Sequence, residues 1–240
     1  MKNYLKTQQN QLGQSIGCSL ENNAPCQAIK GNIEGQYVTL TEIDGEISDL
    51  AADQIWASVS TEPNGGCWTY LPYSAPSSQA KLKQDLQNLF GFQGSTHFLL
   101  DIGGEIKGWI ALLNPRLGHG VIEIGNVYFS HRMKQSKAAT ETIFLLLQKC
   151  FKNGFRRVEW KCDDCNEPSK TAALRFGFHY EGLFRQDRII KGRNRNTAWF
   201  SMIDEEWNAL ESAYTQWLNP ENFDENGSQL NKLSDFSGIE

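Results

Sequence analysis

The sequence predicts an α+β (α/β) sandwich around one mixed sheet, and three observations carry that prediction. Val121, Ile122, Ile124, Val127, Tyr128 and Phe129 form a nearly continuous apolar run, the pattern of a strand covered on both faces. Ile143, Phe144, Leu147, Cys150 and Phe151 then recur at helical spacing, so the next element is a helix laying one apolar stripe on a sheet. Around these two, strands in hairpins are followed by a helix–strand–helix–hairpin order, which builds a mixed sheet flanked by helices.

Taken in order, residues 1–33 are polar and rich in Gln, Asn and Gly, and read as an arm lying on the domain or partly disordered. The domain proper is expected over 34–218. Its first strand is the alternating Gln36–Thr41, followed by a helix on Ile47, Leu50, Ala51, Ile55 and Trp56. Gly65-Gly66 breaks the chain before the aromatic loop Trp68-Thr-Tyr70-Leu-Pro-Tyr73. Three large rings beside Gly and Pro suit either a packed turn or the wall of a pocket. Ser77 reads as the cap of a helix carrying Leu82, Leu86, Leu89 and Phe90.

Residues 97–101 and 105–114 pair about Gly103-Gly104 as a hairpin. Asn153-Gly154 stops the helix that follows the central strand, and 156–162 is the next strand. Asn166 caps a short helix with Pro168 in its first turn, and 178–191 with 195–203 form a hairpin about Gly192-Arg-Asn194. Trp207, Leu210, Ala213, Tyr214 and Trp217 mark a last helix from Asp204 to about Leu218, closed by Pro220. An acidic tail, 219–240, completes the chain.

Hydrophobic content of 40% and charged content of 21% place the chain among globular proteins, and no apolar run reaches the roughly 18 residues of a membrane span. The N-terminus has no apolar signal-peptide core, so a cytoplasmic location is expected. Net charge is −5, but the tail holds five acids against Lys232, a balance of −4 that leaves −1 for everything else. A near-neutral body argues against a nucleic-acid partner. The six cysteines lack a disulfide-framework spacing, and Cys162-Asp-Asp-Cys165 has no second pair or histidines in register, so no metal is expected.

The turn between the central strand and its helix holds His131, Arg132, Lys134 and Lys137 within seven residues, then the small Ser136, Ala138, Ala139 and Thr140. A helix start with free N–H groups, small side chains and flanking cations suits a phosphate or pyrophosphate. The bland alternative is a solvated charged turn.

Further on, Lys161-Cys162, Asn166-Glu-Pro-Ser169, Thr171-Ala-Ala-Leu-Arg175 and Gly177-Phe-His-Tyr-Glu181-Gly182 follow one another. Together these resemble the second cofactor motif of the GNAT N-acetyltransferases, in particular the RimJ/RimL-type ribosomal-protein N-terminal acetyltransferases. The resemblance runs from about Gln36 to Ile203. Lys134-Gln135-Ser136-Lys137-Ala138-Ala139 aligns with that family's Q/R-x-x-G-x-G/A pyrophosphate turn, with Lys137 in place of the first Gly and Thr140-Glu141 matching the T-E that follows.

The resemblance implies a GNAT fold, with a mixed, mostly antiparallel central sheet, splayed central strands and flanking helices. It also implies acetyl-CoA as cosubstrate, seated on residues 134–140, with backbone N–H groups near Val127, Tyr128 and Phe129 facing the thioester carbonyl. Asn166 is then expected on the pantetheine and Ser169 near the sulfur, where it could return the proton. Glu181 is expected as base, with Glu123 competing. Each has a structural alternative: Asn166 a helix cap, Ser169 a polar residue at a helix start, Glu181 an ion pair with Arg185 or Arg188, Glu123 an ion pair with Lys or Arg. Trp68, Tyr70 and Tyr73 would wall the acceptor.

An α-amine of pKa about 7.7–8.0 is partly neutral at pH 7, whereas a lysine near 10.4 must recover about 3.4 kcal/mol by burial or base catalysis. The chain shows no unusually strong base, so a protein or peptide N-terminus is the expected acceptor. The alternatives are a small-molecule amine acetyltransferase and a non-catalytic acyl-CoA-binding module. Neither nucleic acid nor membrane is expected as partner, and the expected assembly is a monomer or homodimer.

Overall fold

The computed structural model describes residues 3–20, 26–90 and 94–237. Strands β1 (Thr7–Gln9) and β2 (Ser15–Gly17) pair as a short exposed hairpin in the arm. Nearer the domain, Cys26 and Ile29 are buried, and Cys26 Sγ donates to the Gly154 carbonyl at 2.9 Å.

Eight further strands make one sheet: β3 (Ile33–Glu34), β4 (Thr39–Glu42), β5 (Thr96–Ile102), β6 (Glu105–Arg116), β7 (Val121–Phe129), β8 (Arg157–Asp163), β9 (His179–Ile190) and β10 (Arg193–Ile203). Their order is β3-β4-β5-β6-β7-β8-β10-β9, and every neighbouring pair is antiparallel except β7–β8. Helices α1 (Asp49–Val59), α2 (Gln79–Phe90), α3 (Lys137–Lys152), α4 (Glu167–Arg175), α5 (Asp204–Leu218) and α6 (Leu233–Ser237) flank it. None of the described helices is long and apolar enough to cross a membrane.

Two cores lie on opposite faces of the sheet. The larger gathers Phe98, Ile110, Ile122, Ile124, Val158, Trp160 and Phe200 under α3 and α5. The predicted stripe on α3 is wider than one face. Ile143, Leu147 and Cys150 meet the core, while Phe144 stacks on Tyr214 at 5.5 Å and Phe151 on Trp207 at 5.2 Å, both on α5. The helix is therefore packed on two sides. The smaller core places Ile55, Leu82, Leu86, Trp68, Trp109 and Tyr128 between the sheet and the pair α1–α2.

Three local expectations shift. The first strand is not continuous over 36–41, because the Glu141 carboxylate on α3 accepts the backbone N–H groups of Gln36, Tyr37 and Val38 at 2.8, 2.6 and 3.0 Å and turns the chain before β4. The α2 N-terminus is held by Ser78, not Ser77, whose hydroxyl accepts from Lys81 N–H at 3.2 Å. Of the helix's apolar residues, the side chains of Leu89 and Phe90 lie outside the described residues. The β9–β10 turn sits on Lys191-Gly192 rather than on 192–194. Both residues have positive φ, +50° and +72°, as a two-residue hairpin turn with the right twist demands.

What positions the site is the parting of β7 from β8. Their register runs Val121↔Arg157, Ile122↔Val158, Glu123↔Glu159 and Ile124↔Trp160 and then stops, although both strands continue. On its other side β7 stays paired to β6 as far as Phe129, with a bulge opposite Ile110. Asn126 sits in that bulge at φ +48°, and such an extra residue increases local twist and bends the strand. Gly108 lets β6 follow, because a Cβ there would collide with the Tyr128 carbonyl oxygen.

Candidate active site

The gap between the parted strands opens into a cleft of about 940 Å³. One wall is Ile124 to Phe129 of β7, the other Trp160 to Asp163 of β8 with Asn166, Pro168 and Ser169 at the start of α4. Past Ile124, the edge of β7 that faced β8 has no partner strand, so the N–H groups on that side point into the cleft.

At one end lies the turn before α3. Lys134 lines the cleft, Gln135 takes φ +61°, and Ser136 caps the helix by accepting from Ala139 N–H at 3.1 Å. N–H groups in a first helical turn have no intrahelical acceptor, so those of 137 and 138 remain for a ligand. Ala138, Ala139 and Thr140 have buried side chains, and Thr140 Oγ1 accepts from Arg175 Nη1 at 3.2 Å, which docks α4 against α3. Their contribution to the turn is thus small size and backbone.

The loop 62–73 folds over the cleft, reaching from the turn before α3, where Glu62 accepts from His131 N–H at 2.9 Å, to the start of α4. Tyr70 Oη donates to the Cys165 carbonyl at 2.8 Å, and Lys191 Nζ at the β9–β10 turn donates to the Trp68 carbonyl at 2.6 Å. Tyr73 Oη donates to Asn126 Oδ1 at 2.9 Å and accepts from Trp109 Nε1 at 3.2 Å, tying the loop to the bulge.

These features are those of a known family. The model for the acetyltransferase (GNAT) family matches residues 65–178. A GCN5-related N-acetyltransferase from Brucella melitensis is 38% identical, with TM-score 0.87 over 92% of this chain and all of that one. The chain belongs to the GNAT family. It is an acyl-CoA-dependent N-acetyltransferase, and acetyl-CoA is the family's cosubstrate. A GNAT-family protein from Chromobacterium violaceum is 32% identical, with TM-score 0.73 over 80% of this chain and 96% of that one. An acetyl transferase from Salmonella typhimurium that modifies the N-terminal serine of ribosomal protein L7/L12 shares the fold at 18% identity and TM-score 0.58, over 70% of this chain and 96% of that one. No curated protein matches.

Against this GNAT frame, the sequence-predicted residues fall into three groups. Glu123, Val127, Tyr128, Phe129, Lys134, Asn166, Ser169, Tyr70 and Tyr73 all reach the cleft. Asn166 is also the α4 cap, its Oδ1 accepting from Ser169 N–H at 3.2 Å. The Ser169 hydroxyl accepts from the indole of buried Trp160 at 3.0 Å and lies beside Cys162, pulling down a thiol that burial pushes up. Glu123 is buried and accepts from Asn114 Nδ2 and Lys161 Nζ, both at 2.8 Å, so it is an ion pair as well as a cleft residue. Gln135, Ser136, Ala138, Ala139 and Thr140 build the turn.

The third group is misplaced by the sequence. Glu181 lies on β9, outside the cleft. Arg157 grips both its oxygens at 2.6 and 2.5 Å and Ser201 Oγ adds 2.7 Å, and the guanidinium holds the carboxyl below its usual range. Its partner is thus Arg157, not Arg185 or Arg188. Trp68 is no pocket wall but core: it is buried and stacked on Tyr128 at 5.4 Å. Lys137 points away from the turn, its ammonium 4.0 Å from the Phe223 ring and 5.4 Å from Tyr37. As the first residue of α3 it needs no glycine conformation.

Sequence reasoning missed several cleft residues. Asn126 is one, for which Gly125-Asn126 inside an apolar strand was the available signal of a bulge. His97 on β5 is another; burial pushes its imidazole down to about 4, so it is neutral at pH 7. Glu62, bonded to Tyr128 Oη at 2.8 Å and His131 N–H at 2.9 Å, carries no local sequence signal.

Proposed function

We propose that this protein is a cytoplasmic acetyltransferase of RimJ/RimL type whose acceptor is a protein or peptide N-terminal α-amine. The observation that carries the reading is the parting of β7 and β8 at Ile124/Trp160, in a cleft that holds a phosphate-suited turn and is covered by a tyrosine-bearing loop. The Salmonella protein of the same fold modifies an N-terminal serine, which supports the choice of acceptor.

The residues present suit acetyl-CoA. Lys134 and the open N–H groups of the first α3 turn would take its phosphates, and Asn166 its pantetheine arm. When bound, acetyl-CoA supplies an activated acyl carbon and a thiol leaving group. The free N–H groups of β7 between Gly125 and Phe129 are donors fixed in place, suited to an oxygen on which negative charge develops. The Ser169 hydroxyl, oriented by Trp160, would give a proton to sulfur as the C–N bond forms and the C–S bond breaks, and be restored by the proton that the amine nitrogen sheds.

Glu123, paired with Lys161 at 2.8 Å, is the carboxylate proposed as base from the cleft wall. An α-amine asks little of it, since about a tenth or more is already neutral at pH 7. The test is CoA-thiol release with two peptides, one with a free N-terminus and one Nα-blocked with a single lysine. The free N-terminus should react at least about 10-fold faster; a preference for the lysine peptide, or for small polyamines over both, overturns the reading.

A further inference from the structure

Arg188 on β9 and Arg195 on β10 are direct register partners, and both line the cleft. Side chains directly opposite on one face of an antiparallel pair stand about 4.5–5.5 Å apart at Cβ, where like charges destabilise the sheet. Among the described residues one neighbouring carboxylate, Asp187, reaches Arg188, and the others are engaged elsewhere. Asp187 accepts from Thr197 Oγ1 at 2.7 Å and touches Arg188 Nε only at 3.4 Å; Asp163 accepts from Cys165 N–H at 2.9 Å; Glu123 pairs with Lys161. Arg195 Nε is buried without a hydrogen-bond partner. A guanidinium donor held out of water and unsatisfied lacks an acceptor that a ligand can provide. Arg195 also acts on the Cys162 thiol, which lies beside Ser169 in the cleft wall.

Resting on the N-terminal amine reading, we infer that Arg188 and Arg195 form a carboxylate clamp, selecting acceptors that carry an acidic side chain next to the reacting amine. Guanidinium forks match carboxylates bidentately, which ammonium groups do not. The same two charges repel an ammonium that brings no carboxylate, so selection acts in both directions.

The test uses matched peptides with a free N-terminal serine, followed by Asp-Glu in one and by the isosteric Asn-Gln in the other. Wild type should prefer the acidic peptide about 10-fold or more in kcat/KM, as a charged hydrogen-bond pair implies. Arg188→Gln and Arg195→Gln should each pull that ratio toward one, with Arg195→Lys intermediate because it keeps charge but loses the fork. Tm should stay level or rise as the like-charge pair is relieved, and the Kd for acetyl-CoA should hold within about 2-fold. A wild-type ratio near one, with both peptides turned over, sinks the clamp and leaves the α-amine reading intact. A weakened Kd for acetyl-CoA in the variants assigns the arginines to the cofactor's phosphates and likewise sinks it. No CoA release with either peptide removes the α-amine reading and the clamp with it.

Discussion

Lys134 and Lys137 are three residues apart in one cationic turn, yet the structure gives them opposite jobs, and alanine at each should separate the two. Lys137 is half-buried with its ammonium 4.0 Å from the Phe223 ring centroid. A cation–π contact in that range contributes about 0.5–1 kcal/mol when exposed and up to about 2 when desolvated. Lys137→Ala should therefore destabilise by about 1 kcal/mol, lowering Tm by about 2–4 °C for a chain of this size, and should leave the Kd for CoA within about 2-fold. Lys134 is exposed and lines the cleft. A unit charge about 4 Å from a phosphate is worth about 1 kcal/mol at bulk dielectric and several times that nearer the protein. Lys134→Ala should weaken CoA by about 5- to 30-fold, leaving Tm within about 1 °C. Isothermal titration with CoA and with phosphate-free pantetheine, beside thermal melts, reads both effects; for Lys134→Ala the loss should vanish with pantetheine. If Lys137→Ala weakens CoA as much as Lys134→Ala does while Tm is unchanged, then the ammonium leaves its rings for the phosphates and the reasoning fails.

Glu181→Gln should keep turnover within about 2-fold, since its carboxylate serves Arg157 and not the cleft. Because the folded state holds that carboxyl below its usual range, its stabilising effect is present above the unfolded pKa of about 4.3 and lost as pH falls through the lower folded value. Melts of wild type and variant should therefore differ most near neutrality and converge in acid; a gap that widens below pH 4 contradicts the assignment. Ser169→Ala should lower kcat by about 10- to 100-fold with little change in the Kd for acetyl-CoA. The kinetic deficit should shrink as pH passes the thiol pKa of about 8.5, and a pH-independent deficit in steady-state rates would make Ser169 a positioning residue. Melts should also fall by about 1–3 kcal/mol, because the Trp160 indole N–H loses its acceptor inside the protein.

The fold was legible wherever periodicity and turn chemistry are local. Asp204–Leu218 could be read from its apolar spacing and Pro220, and the hairpin at Gly103-Gly104 from the only residues that take positive φ cheaply. The start of β4 was not legible, because its limit is set by Glu141, a side chain on a helix far along the chain. The same holds within the site. Asn166 could be read as a helix cap because it acts on backbone three residues on. The fates of Glu181, Lys137 and Trp68 are decided by Arg157, Phe223 and Tyr128, partners that only the folded chain brings near.

The point where β7 and β8 part is also where the chain concentrates its buried charge, and the two facts explain each other. Glu123 and Glu159 are register partners in the last paired stretch, so two carboxylates face each other across a parallel ladder, an arrangement that on its own repels. Lys161 lies just beyond the last pair, 2.8 Å from Glu123 and 3.2 Å from Glu159, and its ammonium rests 3.8 Å from the Trp199 ring. Arg116 and Arg157 close on Glu159 at 2.6 and 3.1 Å. Burial pushes the Glu159 carboxyl up, but these cations pull it further down, so it stays ionised. Buried charges that must keep their partners favour one arrangement over its neighbours. The cluster thus clamps the strands up to Ile124/Trp160, while the Asn126 bulge turns β7 aside beyond it. The gap therefore begins where the charge cluster ends, with the bulge inside it.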